Sequence, residues 1–445
     1  MKKITTLFAL ICFSINLLGQ NKTLIKNISI FNGIDNKIIK ANILVEGQLI
    51  KKIDSAEIKF NSKSTEVTII DGTGKYLIPG LIDAHAHLLL ESMPLSLLLT
   101  SDLGYINLFA ASFAEKQLLR GFTTVRDMGG SSFSLAKAIN TGLIKGPRIF
   151  PSGAAISQTG GHGDFDLPTD VPKNGDNSYL NKTGMTAIAD GPDQVLVRTR
   201  EQLRQGATQI KLMAGGGIVS MYDPIDVSQY SEAEIKAAVS AAENWGTYVT
   251  VHAYLPKSIR TAIAAGVRCI EHGQLIDEET AKLMSEKDIW WCIQPFMDDE
   301  DATSFPVGSQ NWKKQMEIIK GTDNAYRLAK KYKIKTAFGI DCLFDSVSAK
   351  NQGKILCKLQ NWFSPFEILK MATHDNAELL RMCNKRNPYQ LGNIGEITEG
   401  AYADLIIVEG NPIQNIRLIE DPEKNFMLIM KDGIIYKNKL TLSKY

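Results

Sequence analysis

Two of the six histidines in this 445-residue chain, His85 and His87, stand one residue apart in "LIPGLIDAHAHLLLESMP". The apolar run before them reads as a buried strand. Side chains alternate along a strand, so both imidazoles leave it on the same face. Two neutral imidazoles aimed at one point make half of a metal site. Taken alone, the pair fits two packed structural histidines equally well. Other residues shift that balance. His252 ends the apolar run "VTVHAY", His272 ends "CIEHG" and Asp341 ends "AFGID". Lys211 lies inside another apolar run, "QIKLMA". Burying an ammonium there is costly, and burial lowers a lysine's pKa. A neutral amine can add CO2 to form a carbamate, whose single negative charge and two oxygens can bridge two cations. A snorkelling or salt-bridged lysine is the other reading of Lys211.

These groups need a frame. Short apolar runs alternate with helical stretches through the middle of the chain: "GLIDAHAH", "FTTVRDMGG", "PRIFPSGA", "TQIKLMAGGG", "YVTVHAY", "VRCIEHG", "WWCIQPF" and "KTAFGID". Between the fifth and sixth, Pro256 opens a helix, "SIRTAIAA" continues it and Gly266 ends it. Strand, helix and strand within about thirty residues make a βαβ unit, which favours parallel pairing. Eight such strands predict an α/β fold of the (β/α)8 TIM-barrel type, with functional groups at the C-terminal strand ends. A doubly wound open sheet is the alternative. Both chain ends read differently. "TLIKNISIF", "KANILVEGQLIKKIDS", "ADLIIVEGNP" and "NFMLIMKDGIIYKNK" alternate apolar and polar residues, with a hairpin turn at Lys-Asp-Gly. They predict a small β-sandwich domain built from both termini. The expected division is a signal peptide over 1–19, sandwich strands over 20–79, the barrel over 80–390 and the rest of the sandwich over 391–445.

A net charge of +2 gives no reason to expect nucleic acid or an anionic surface as partner. The start, "MKKITTLFALICFSINLLGQNKT", joins two lysines to an apolar stretch too short for a stable membrane span. It reads as a secretory signal cleaved near Gly19/Gln20, so the protein is expected in the periplasm or outside the cell. A membrane-tethered N-terminus is the other reading. Removing Cys12 with the signal leaves five scattered cysteines, which make no disulfide framework, although one bridge stays open. A homo-oligomer is compatible with the sequence.

The order of the histidines, Lys211 and Asp341 on successive strands resembles the amidohydrolase superfamily in its binuclear form. Within it, the chain is similar to the branch of Xaa-Pro dipeptidase-like and imidazolonepropionase-like proteins. The closing "LGNIGEITEGAYADLIIVEGNP" also resembles the family's G-x-I-x-x-G-x-x-A-D-L segment. The resemblance implies two divalent ions, zinc foremost. His85, His87 and Asp341 would hold one, His252 and His272 the other, and N6-carboxylated Lys211 would bridge them. A hydroxide between the ions would attack an amide carbonyl, with Asp341 as general base. Two ions bring +4, while carbamate, Asp341 and hydroxide bring −3. The remaining +1 would polarise the carbonyl.

The resemblance further implies that His162, in "TGGHGD", and Tyr230, at a helix start, contact the substrate. The glycines of "AGGGIVS", Gly216 among them, are flexible enough to let a substrate approach the backbone, and a simple turn is the other reading. The chain departs from the family pattern at Tyr254, where a second histidine is common, and at Ile340 and Cys342 beside Asp341. The implied function is that of an exported metal-dependent amidohydrolase. Its small-molecule substrate would be a dipeptide such as Xaa-Pro or an N-acyl amino acid. A cyclic amide, lactone or ester is the alternative substrate. An exported binding protein on a barrel scaffold is the non-enzymatic alternative, and the complete ligand set argues against it.

Overall fold

The protein is described by a computed structural model covering residues 22–59, 67–91, 93–167, 169, 178–220, 222–302 and 305–444. The expected signal segment lies outside the described residues. The chain starts with β1 (Lys22–Ile30), β2 (Ile39–Glu46), β3 (Leu49–Asp54), β4 (Val67–Asp71) and β5 (Tyr76–Pro79). β1 pairs antiparallel with β2 and parallel with β4 and β5.

The middle of the chain is built on parallel pairing throughout. β6 (Leu81–Ala86), β7 (Phe122–Asp127) and β8 (Arg148–Pro151) form one three-stranded sheet. A seven-stranded sheet contains β9 (Ala155–Ser157), β10 (Thr186–Ile188), β11 (Ile210–Met213), β12 (Val249–Ala253), β13 (Cys269–His272), β14 (Trp290–Ile293) and β15 (Thr336–Phe338). Its order is β10-β9-β11-β12-β13-β14-β15. Each of the eight apolar runs is a strand. β6, β7, β8 and β11 to β14 are buried at every position, as strands covered on both faces must be. The sequence reading missed β9 and β10, which have three residues each and no run long enough to show.

The two parallel sheets meet along two seams. At one, Asn376 Nδ2 donates to Ile82 O and Phe338 O, at 2.7 and 2.8 Å. Asp341 N donates to His85 O at 2.9 Å. Gly339 makes this approach possible, because a Cβ there would stand 2.3 Å from that of His85. At the other seam, Gln209 Nε2 donates to Phe150 O at 2.9 Å and Thr208 N to Pro151 O at 2.8 Å. The helix Pro256–Ala264 starts at the expected proline. The helix Glu232–Asn244 carries a capping box between Ser231 and Glu234.

The chain then returns to its first sheet. β16 (Leu405–Val408) pairs with β5 and with β17 (Phe426–Lys431). β17 pairs with β18 (Ile434–Asn438) around a turn in which Asp432 and Gly433 take positive φ, 56° and 70°. β19 (Leu442–Lys444) pairs with β4. Both ends of the chain therefore share one nine-stranded sheet. Buried Arg148 of β8 ties it to the parallel strands, pairing with Asp404 at 3.0 Å and with Asp432. The cysteines from Cys269 to Cys383 are free and buried. Among the described residues no helix is long and apolar enough to cross a membrane.

Candidate metal centre and substrate cavity

Strands β6, β11, β12 and β13 deliver His85, Lys211, His252 and His272, while His87 follows directly after β6 and Asp341 lies three residues past the end of β15. All six line one cleft of about 970 Å³, counting the part open to solvent. Asp341 Oδ1 lies 3.2 Å from His85 Nε2 and 3.1 Å from His87 Nε2. Lys211 Nζ lies 3.5 Å from His85 Nε2. The His272 ring is centred 4.4 Å from that of His252 and 5.0 Å from that of His85. Lys211 is only 1% exposed.

Hydrogen bonds fix which ring nitrogens carry protons. His85 Nδ1 is 2.8 Å from Glu271 Oε2, His272 Nδ1 is 2.7 Å from Gln294 Oε1, and His252 Nε2 is 3.0 Å from Gly216 O. Each partner is an acceptor, so each of these nitrogens donates, and the opposite nitrogen keeps its lone pair for a metal. In a neutral His85 ring, Nε2 is then a lone pair 3.2 Å from a carboxylate oxygen. Such a contact is repulsive unless a proton on Nε2 or a metal ion lies between the two atoms. Ligand atoms of His85, His272 and Asp341 lie within 4.8 Å of one another. The donor set fits divalent cations.

The electrostatics agree. Burial lowers the pKa of Lys211, against the pull of Glu271 and Asp341, and so favours the amine that a carbamate requires. Burial also holds His87 below the usual histidine range, and His252 and His272 well below it. Burial alone would raise Asp341, but positive charge at the His85 and His272 rings, which needs a proton or a metal ion on them, outweighs it and keeps the carboxyl well below the ordinary range. His272 and Asp341 both adopt left-handed backbone, with φ of 75° and 48°. Such conformations cost on the order of 1–3 kcal/mol each and persist where neighbours impose them. Here Trp291 Nε1 holds His272 O at 2.6 Å, and His85 O holds Asp341 N.

His162 also lines the cleft, its ring centred 4.2 Å from that of His252. Its Nδ1 is 2.8 Å from Ser220 Oγ, and burial lowers its pKa to about 4. Gly217 leaves room for the ring, since a Cβ there would fall 1.9 Å from His162 Cε1. Tyr230 and Gly216 are not among the lining residues. The Tyr230 hydroxyl donates instead to Ala189 O at 2.9 Å, and its ring is buried. Gly216 acts through its carbonyl on His252. Tyr254 packs edge-on against His252, and the Cys342 thiol donates to Asp345 O. His374 lies off the cleft, beside Asp375.

The sequence reading overlooked the surroundings of the donors. Met213, Ile218, Phe296, Met297, Phe305 and Leu343 form an apolar wall from several separate segments. Glu271, adjacent to His272, and Arg126, inside the run "FTTVRDMGG", are both fully buried. A charge within an apolar run was the clue that singled out Lys211, and it applied equally to Arg126. His85, Glu271 and Cys292 also lie close enough together to hold an ion, but Arg126 already donates to both Glu271 oxygens there.

The profile of the amidohydrolase family matches residues 76–437. The chain belongs to the amidohydrolase family. It is 32% identical to the ochratoxinase of Aspergillus niger over 389 residues, which cover 81% of this chain and 75% of that protein. A prolidase solved with N-methylphosphonate-L-proline superposes with a TM-score of 0.86 at 32% identity, covering 94% of this chain and 100% of the other. A Xaa-Pro dipeptidase with methionine bound in its active site gives a TM-score of 0.80 at 30% identity, with the same coverage. This amidohydrolase is therefore similar to the dipeptidase branch that its motifs resembled.

Proposed function

We propose that this amidohydrolase hydrolyses the amide bond of a dipeptide or N-acyl amino acid carrying a large apolar group, using two divalent ions. His85, His87, Asp341, His252 and His272 would hold the ions, zinc foremost, with Lys211 as a bridging carbamate. One observation carries the reading: six donors converge on a single cleft whose remaining wall is largely apolar. When bound, the ions supply Lewis acidity toward the scissile carbonyl and lower the pKa of water to about 7. Asp341, ionised and seated between His85 and His87, takes the proton of the attacking water and returns it to the leaving amine. His162, braced by Ser220 and packed at a tilt against His252, meets the substrate at the cleft. The apolar wall takes the acyl group or side chain and excludes water from the reacting atoms.

The similarity to a prolidase, a Xaa-Pro dipeptidase and an ochratoxinase supports this choice of substrate. A neutral cyclic amide or lactone is the second reading, and one observation favours it. Among the described residues lining the cleft, the only cation besides Lys211 is Lys358, which is paired with Asp299 and Asp301. A substrate carboxylate would find no unpaired cation there. A panel of Xaa-Pro dipeptides, N-acyl amino acids and lactones, offered to the zinc-loaded protein, tests both readings. Hydrolysis confined to lactones or cyclic amides would overturn the first.

We also read the two parallel sheets as arcs of one (β/α)8 barrel over 80–390, because hydrogen bonds cross both seams. The terminal sheet would be the β-sandwich over 20–79 and 391–445, and residues 1–19 an export signal. Sequencing the N-terminus of the mature protein from the periplasm or medium tests the signal.

A further inference from the structure

A layer of buried charge lies around the Nδ1 side of His85, and the hydrolytic reading does not use it. Arg126 of β7 and Glu271 of β13 are both 0% exposed. Arg126 Nη2 donates to both Glu271 oxygens, at 2.7 and 2.9 Å. Its Nε donates to Ala84 O at 2.6 Å, one residue before His85, and its Nη1 donates to the Tyr248 hydroxyl at 3.2 Å. The Thr250 hydroxyl of β12 also donates to Glu271, as does the Cys269 thiol at 3.3 Å. The last partner of the carboxylate is His85 Nδ1, 2.8 Å from Oε2. Strands β6, β7, β12 and β13 thus meet on one carboxylate.

A carboxylate bound to a guanidinium and two further donors is ionised and can only accept. His85 Nδ1 must then carry a proton, so Nε2, facing Asp341 and Lys211, is the nitrogen available to a metal. We propose that Glu271 is a positioning residue that locks His85 in its metal-binding tautomer and orientation, and that Arg126 holds Glu271 in place for this task. Like the proposed function, the inference takes His85 to be a metal ligand. It adds that the ion pair serves the ligand and does not merely hold strands together. A buried ion pair is weak evidence of stability, and well-packed apolar replacements of similar volume often fold as well or better. Partners outside the ligand shell typically change metal affinity 10–100-fold.

The test removes both charges together. Glu271→Leu with Arg126→Met keeps the volume and leaves no unpaired charge. Zinc affinity is read by competition with a chelator, without substrate, and folding by the melting temperature of the zinc-free protein. The proposal expects zinc binding weakened about 10–100-fold in protein that still melts cooperatively. It also expects Glu271→Gln with Arg126→Met to recover part of that affinity, because an amide oxygen can still accept from Nδ1. Zinc affinity in the Leu/Met variant within about twofold of the parent would overturn it, since affinity changes in this class are far larger.

If the variants do not fold, the parent decides. With only six histidines in the chain, ¹⁵N-histidine labelling of the zinc-free protein can report the tautomer of His85, assigned by the loss of its signals in His85→Asn. A proton on Nδ1 hydrogen-bonded to Glu271, whether or not Nε2 is also protonated toward Asp341, supports the proposal, and a ring protonated on Nε2 alone overturns it. A parent that binds zinc but cleaves no amide would sink the proposed function alone. A parent that binds no zinc would sink both.

Discussion

His85 Nε2 and Asp341 Oδ1 face each other at 3.2 Å, while Asp341 N donates to His85 O at 2.9 Å. The residues are 256 positions apart in the chain, on β6 and just beyond β15. One pair of contacts therefore fixes both the seam between the two parallel sheets and the spacing of two donors. Asp341→Asn retains the backbone bond and the shape of the side chain but removes the charge. It is expected to fold, to keep part of its metal and to lose roughly 10²-fold or more in kcat, the scale of general acid–base catalysis. His85→Ala and His252→Ala are expected to lose metal along with activity. Normal turnover by Asp341→Asn would place the proton shuttle elsewhere.

His162 and Tyr230 have separable roles. His162 borders the cleft, so His162→Ala should lower kcat/KM at least tenfold, about 1.4 kcal/mol of transition-state stabilisation. The Tyr230 hydroxyl is spent on Ala189 O, so Tyr230→Phe should cost about 1 kcal/mol of stability and leave kcat/KM unchanged. Steady-state kinetics and urea unfolding of the two variants check this. A large kinetic defect in Tyr230→Phe with unaltered stability would reverse the assignment.

Burial lowers the pKa of His162 to about 4, against about 6.5 for a free histidine. As pH falls through 6.5, the unfolded chain takes up a proton before the folded protein does. Stability is therefore lost between pH 6.5 and about 4, and His162 contributes to that loss. The metal-free parent should lose about 2 kcal/mol more than metal-free His162→Ala between pH 7 and pH 4.5. Comparing the two proteins cancels the other titrating groups. Parallel stability–pH curves would show that His162 is not buried in its neutral form.

The six side chains that converge on the cleft were legible in the sequence because each interrupts or ends an apolar run, and a polar residue there needs a reason. The same logic located eight of the ten parallel strands. It failed where the local pattern carries no information. Tyr230 stands before a good helix cap, which says nothing of where its hydroxyl goes. Its left-handed φ of 61° and the carbonyl of Ala189 decide that in three dimensions. The left-handed backbone at His272 and Asp341 is imposed by Trp291 and by His85 from other strands. The apolar wall is assembled from segments spread between Met213 and Leu343, so no single stretch announces it.

Amidation of the substrate carboxylate separates the two substrate readings. A dipeptide or N-acyl amino acid recognised through its free acid should lose at least tenfold in kcat/KM when amidated, since hydrogen bonds to charged groups are worth about 1.5–3 kcal/mol. Equal rates on the free acid and the amide would move the neutral cyclic amide or lactone ahead.

The metal pair is the central claim, and metal content measured alongside turnover tests it most directly. Protein prepared with zinc and bicarbonate should hold about two zinc ions per chain, as expected of a bridged pair, and should hydrolyse its amide substrate. Lys211→Ala should lose zinc and activity together, and short carboxylic acids, standing in for the carbamate, should restore part of both. Full zinc content and full activity in Lys211→Ala, or an active parent free of metal, would contradict the account.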